Sequence, residues 1–155
     1  MAEVTIKRLI NAPVEKVWES WDDFANIDQF NPNLNASFLI NDSKKTGLGA
    51  ERQCDLVDGK NYIQERIIDY VPNRRIVVDI YNGTLPLKRA KATIALRPVG
   101  GQTELSFTME FIPKMGVLGK MMVPLMKPQF RKLLTKLVEA NKSFAETGQM
   151  VHRAA

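Results

Sequence analysis

Two charged residues fall where strand alternation predicts apolar ones. In the run Asn61–Val71, turning Ile63 and Ile67 inward turns Glu65 inward as well. In Ala50–Val57, Cys54 and Leu56 carry Arg52 with them. Asp58-Gly59 joins the two runs as a hairpin signal, so the carboxylate and the guanidinium stand on neighbouring strands. A carboxylate accepts a proton and a guanidinium stabilises an oxyanion, and enolate chemistry in an apolar pocket needs little more. The pattern leaves three outcomes open. The pair faces a ligand, or it is a structural ion pair at the end of a cavity, or a one-residue bulge turns both groups to water. A lone buried charge would be far more costly than any of these. Catalytic residues are therefore unknown at this level, with Glu65 and Arg52 as candidates and Asp28, Tyr62, Tyr70 and Tyr81 as the remaining acid–base groups.

Other chemistry is scarce. The single histidine, His152, falls in a frayed C-terminal stretch, and the single cysteine, Cys54, reads as a small buried apolar group. One of each cannot assemble a zinc site or a catalytic triad. Gly47-Leu48-Gly49 lacks the further glycine and the helix of a phosphate loop. No metal and no cofactor is expected. The net charge of +5 is spread over strands, turns and the last helix, without a basic tail or a recognisable motif, so nucleic acid is not an expected partner. No apolar run approaches the ~20 residues that span a bilayer. With no signal peptide visible and one cysteine, a cytoplasmic location is expected.

The elements that must hold the pair in place follow from the spacing. Residues 3–10 alternate as a strand. Pro13 opens a short helix whose apolar side is Val14, Val17, Trp18 and Trp21, and Phe24–Phe30 reads as a second short helix closed by Asn31-Pro32. Six strands follow: Ala36–Asn41, Ala50–Val57, Asn61–Val71, Arg75–Tyr81, Leu87–Arg97 and Thr103–Ile112. Their tight links predict an antiparallel meander. Leu105, Phe107, Met109 and Phe111 share one face of the last strand. Ala90, Ala92, Ile94 and Leu96 share a face of the strand before it, and Ile76, Val78 and Ile80 do so on the fourth. Small residues at Ala90 and Ala92 leave room on that face, to be taken by a ligand or by closer approach of a helix.

That helix is the last element. Phe130, Leu133, Leu134, Leu137, Val138, Asn141 and Phe144 recur at three and four, with Arg131, Lys132, Lys136, Glu139 and Lys142 on the other side. Pro124 and Pro128 are expected to break or kink its start, leaving a short apolar segment over Val117–Val123 and a main helix from about Leu125 to Thr147. The methionines Met115, Met121, Met122 and Met126 cluster there. Methionine fills irregular cores and also makes adaptable surfaces for apolar ligands, and an apolar segment flanked by lysines also suits transient contact with a membrane.

The order of these motifs resembles the START/Bet v 1-like superfamily, in its polyketide cyclase/dehydrase and lipid-transport branch. The resemblance rests on Asn11-Ala12-Pro13-Val14-Glu15-Lys16-Val17-Trp18 after the first strand, Phe24 to Pro32, Gly49 with Arg52, Asp58-Gly59, Glu65, Gly83-Thr84-Leu85-Pro86, Thr103 and Phe111-Ile112-Pro113-Lys114. It covers essentially the whole chain and is specific for the fold more than for the function. Phe30 stands where many relatives carry tryptophan. The resemblance implies an α+β helix-grip fold: a seven-stranded curved antiparallel sheet around a long C-terminal helix, with two short helices between the first and second strands. One domain over residues 1–148 and a flexible tail over 149–155 are expected.

It also implies a cavity between sheet and helix that binds or transports a hydrophobic small molecule, such as a lipid, a polyketide-like compound or an isoprenoid or quinone-like one. Loops at Asn82–Leu87 and the segment Lys114–Pro128 would form its mouth. The alternatives are a cyclase/dehydrase-type enzyme using Glu65 and Arg52, and a partner-binding module like quinone-chain or ribosome-associated members. The candidate lining comprises Trp18, Phe30, Arg52, Cys54, Glu65, Ile67, Val78, Ile80, Leu85, Pro86, Ala90, Ala92, Phe107, Met109, Phe111, Met115, Met121, Met122, Met126 and Phe130.

Overall fold

The structure, a computed structural model, describes residues 1–150. His152 and the end of the expected tail lie outside the described residues. Strand β1 (Ala2–Ile10) is followed by helix α1 (Val14–Asp22) and a 3-10 helix (Phe24–Gln29). Strands β2 (Leu34–Leu39), β3 (Glu51–Leu56), β4 (Tyr62–Val71), β5 (Arg75–Gly83), β6 (Leu87–Val99) and β7 (Gln102–Pro113) come next, and helix α2 (Gly116–Thr147) closes the chain. The strands form one antiparallel sheet in the order β1-β7-β6-β5-β4-β3-β2. Every consecutive pair from β2 onward is hydrogen-bonded, while α1 and the 3-10 helix carry the chain from one sheet edge to the other. This is the helix-grip arrangement, with α2 packed across the sheet against β1, β7 and α1.

Alternation decides which side of the sheet α2 can cover. Leu105, Phe107, Met109 and Phe111 of β7 are buried, as are Ala90, Ala92, Ile94 and Leu96 of β6 and Ile76 and Val78 of β5. They meet Leu134, Leu137, Val138 and Ala145 of α2 and Trp21 of α1 in one core. A polar pin crosses it: the indole N–H of Trp21 donates to Asn141 Oδ1 at 3.0 Å, and Asn141 Nδ2 donates to Ser20 Oγ at 2.8 Å. Asn141 is fully buried, so these bonds satisfy groups that would otherwise be lost to water.

Several expected boundaries move. Strand β2 ends at Leu39 instead of Asn41, because Asn41 and Asp42 take left-handed φ values of 57° and 53°. Strand β6 extends past Arg97 to Val99 in spite of Pro98. Its pairing with β5 stops at Ala95, so the missing Pro98 N–H interrupts no ladder on that side. The largest correction concerns α2. It is one continuous helix from Gly116, running through Pro124 and Pro128, rather than a short segment followed by a helix from Leu125. Burial of Val123, Met126 and Phe130 against the core supplies what the prolines cost in backbone bonding.

Candidate functional site: a cavity beneath the last helix

Arg52 and Glu65 face each other directly across the β3–β4 ladder. Both turn inward, each only 5 % exposed. The ladder between β4 and β5 contains two bulges, with Tyr81 extra on β5 between Ile80 and Asn82 and Ile68 extra on β4 between Ile67 and Asp69. The first lies on β5 and the second beyond Ile67, so Glu65 keeps the inward side it shares with Ile67. Arg52 Nε donates to Glu65 Oε1 at 2.8 Å, and Arg52 Nη1 donates to the carbonyl oxygen of Phe24 at 3.0 Å. The guanidinium lies over the Phe24 ring, its Cζ 3.9 Å from the centroid. The Cys54 thiol approaches Glu65 Oε1 at 3.3 Å. Burial works against the Arg52 charge, but the neighbouring carboxylate outweighs it and holds the pKa above the ordinary value. Burial, reinforced by Glu65, pushes the Cys54 thiol well up, so it stays protonated and unreactive.

Beside this pair lies a cavity of about 130 Å³. Its walls come from every layer of the fold: Val78, Ile80 and Ala92 from the middle strands, Phe107 and Met109 from β7, Trp21 from α1, and Phe130, Leu133, Leu134 and Leu137 from α2. Arg52, Glu65, Cys54, Asn31 and Asn33 form its polar part. Asn33 Nδ2 donates to the carbonyl of Leu133 at 2.9 Å and so ties the start of β2 to α2. A second pocket of about 170 Å³ shares Ile63, Ile80 and Leu85 with the cavity and is rimmed by Asn82, Gly83, Lys88 and Lys114. Gly83 is required there. A Cβ on it would stand 2.5 Å from the carbonyl oxygen of Tyr62.

Of the residues expected to line a cavity, the structure gathers Arg52, Cys54, Glu65, Val78, Ile80, Leu85, Ala92, Phe107, Met109 and Phe130. The others stand elsewhere. Trp18 packs edge-on to Tyr70, with ring centroids 5.3 Å apart. Phe30 is held between Trp21 and Phe144. Ile67, Ala90 and Phe111 are buried in the core away from the cavity, and Phe111 packs on Phe130 at 4.8 Å. Pro86 is exposed on its loop. Met115, Met121 and Met122 point to solvent, and Met126 is half-buried against the core. Trp21, Ile27, Asn31, Asn33, Leu34, Leu56, Ile63, Ile94, Leu133, Leu134 and Leu137 line the cavity without having been singled out for it. For Leu133, Leu134 and Leu137 the signal was present, since they lie on the apolar stripe of α2.

The model of the polyketide cyclase/dehydrase and lipid transport family matches residues 1–141. The chain belongs to this family. Solved structures agree on the fold. A START superfamily protein from Mycobacterium smegmatis superposes with a TM-score of 0.78 at 17 % identity, covering 95 % of this chain and 99 % of that one. A protein from Thermus thermophilus gives 0.74 at 15 % identity, with 93 % and 97 % covered. Ginseng major latex-like protein 151 from Panax ginseng gives 0.73 at 10 % identity, again with 93 % and 97 % covered. At these identities the likeness is one of fold. No curated protein sequence matches the chain. Among the described residues, no group of side chains could hold a metal ion and no helix is long and apolar enough to cross a membrane.

Proposed function

We propose that this family member binds a hydrophobic small molecule in the space between sheet and α2 and carries it. The observation that supports this most is the cavity itself: an apolar chamber with one buried, hydrogen-bonded ion pair in its wall. Apolar walls give affinity by area, and a few convergent polar groups fix the orientation of a ligand. The chemistry favours a ligand with an apolar body and a hydrogen-bonding end directed at Arg52 and Glu65. Native mass spectrometry of the purified protein and displacement of an environment-sensitive apolar dye test the reading. Ala92→Phe places a ring in the chamber and is expected to weaken dye binding by about tenfold or more, for an overpacking cost of about 1–3 kcal/mol. Equal dye affinity in wild type and Ala92→Phe would remove the cavity as the binding site.

A second reading is supported by the burial of Glu65 at the cavity wall. With its carboxylate as base and Arg52 stabilising an enolate, the same chamber would serve a cyclase or dehydratase. It requires that Glu65→Gln abolish turnover of an enolisable polyketide-like substrate while its binding persists. Retained turnover in that variant would end this reading and leave the carrier.

A further inference from the structure

The first three turns of α2 carry apolar residues on the side that faces away from the protein. The core side of the helix is set by Val123, Met126, Phe130, Leu134, Leu137 and Val138. At 100° per residue, Val117, Leu118, Met121 and Leu125 lie on the opposite side, with Met122 on the flank. Val117, Leu118, Met121 and Leu125, together with Met115 just before the helix, are 62–75 % exposed, and Met122 is half exposed. Farther along, the outward positions become Lys132 and Lys136, the usual choice for a wet face. The apolar face is therefore confined to the helix start, beside the pocket rimmed by Lys88 and Lys114.

Charge accompanies it. Between Glu110 and Glu139 the chain has no acidic residue, but it has Lys114, Lys120, Lys127, Arg131, Lys132 and Lys136. All six are exposed. Residues 116–130 make no side-chain hydrogen bond or ion pair among the described residues, so the lysines there are not committed to the fold.

We propose that this face docks on an anionic phospholipid bilayer, with the apolar side chains in the acyl–headgroup boundary and the lysines at the phosphates. Apolar insertion plus a basic fringe is the physical recipe for interfacial attachment. Two copies joined through this face would bring the lysines that fringe it, Lys114, Lys120 and Lys127, against like charges of the other copy. Methionine suits a protein partner as well as a bilayer, but this face has none of the Trp, Tyr or Arg anchors that dominate protein interfaces, and its fringe is lysine, which such interfaces deplete. The inference rests on the carrier reading for its purpose, since docking there sets the pocket rim against the source of an apolar cargo, but its test does not.

The test is flotation of the full chain with vesicles of phosphatidylcholine alone and of phosphatidylcholine mixed with phosphatidylserine, together with its mass by light scattering. Wild type is expected to float with the anionic vesicles and to lose most of that binding in high salt. The triple variant V117S/M121S/L125S and the double variant K120E/K127E are each expected to bind about tenfold or more weakly. Because all five residues are exposed, folding and dye binding in the cavity should persist. Lack of wild-type flotation overturns the proposal, as does unchanged flotation of the triple variant. A dimer that the triple variant dissociates would instead make the face a contact between copies and overturn it equally. Dye binding without flotation leaves the carrier reading standing and removes this one; flotation without dye binding does the reverse.

Discussion

At the scale of single residues, the molecule's most consequential feature is a full charge pair out of water. Exposed pairs such as Arg75–Asp69 are screened and contribute little. Arg52 and Glu65 are different, because both are buried and bonded to each other. Removing one partner, as in Glu65→Ala or Arg52→Ala, is expected to destabilise the fold by about 3–5 kcal/mol, since the survivor remains buried and unpaired. The double replacement Arg52→Met with Glu65→Leu should cost much less than the sum, as read from urea midpoints in a double-mutant cycle. Additive costs would mean that the two charges do not depend on each other. Glu146 offers a pH-dependent counterpart. Its carboxylate accepts from Lys142 at 2.6 Å and from the Asn11 backbone N–H at 2.7 Å, bonds that hold its pKa below the ordinary value. The unfolded chain therefore takes up the proton first as pH falls. The bonds contribute fully above the unfolded pKa, and their contribution is lost as pH drops through the folded one. Glu146→Gln should be less stable than wild type at about pH 7, and the gap should narrow at about pH 3, measured by urea unfolding at both.

At the scale of elements, α2 is two helices in one. Its second half is fastened to β1: Lys142 donates to the carbonyl of Leu9 at 2.9 Å, Glu139 pairs with Arg8, and Asn141 pins α1. Its first half holds on by apolar contact alone and contains two prolines, each lacking the N–H that a helix interior uses. Its N-cap is Met115 at φ 73°, a left-handed conformation that a bulky residue adopts at a cost. Amides over 117–130 should exchange faster than those over 134–145, read by hydrogen exchange with mass spectrometry. Pro124→Ala with Pro128→Ala should raise stability by about 1–3 kcal/mol, and an unchanged urea midpoint would contradict that assignment. This half is also where sequence reasoning fell short. From Met115 to Met126 apolar residues occupy both sides of the helix, so periodicity gives no inward direction, and three methionines expected in the lining point to water. Trp18 and Trp21 pose the same problem on α1, since three residues of helical spacing turn two neighbours to different surroundings. By contrast, period-two alternation is unambiguous. Phe107 and Met109, Ala92, and the inward turn of Glu65 and Arg52 were all legible from it. Asn31 and Asn33 were not, because a loop before a strand has no period to read.

At the scale of the whole molecule, the question is how so small a chamber serves a ligand of any size. A volume of about 130 Å³ is close to that which accommodates a single benzene ring. A lipid or polyketide-like body needs several times more, typically ~300–1,000 Å³. The sheet cannot yield that space easily, being hydrogen-bonded from β1 to β2 without a break. The second half of α2 is pinned. The first half is what remains, and Phe130, which lines the cavity, sits at its end. Outward displacement of residues 116–130 would draw Phe130 away from Phe111 of β7 and join the chamber to the second pocket through their shared wall of Ile63, Ile80 and Leu85. Binding of a large apolar dye should then be limited by this opening, with an observed association rate that levels off as dye concentration rises. Pro124→Ala with Pro128→Ala restores the missing backbone donors and should slow that plateau by roughly tenfold in stopped-flow fluorescence, even as it stabilises the fold. A plateau unchanged in the double variant would move the gate to another element, and a rate that never saturates would mean the chamber is already open to its ligand.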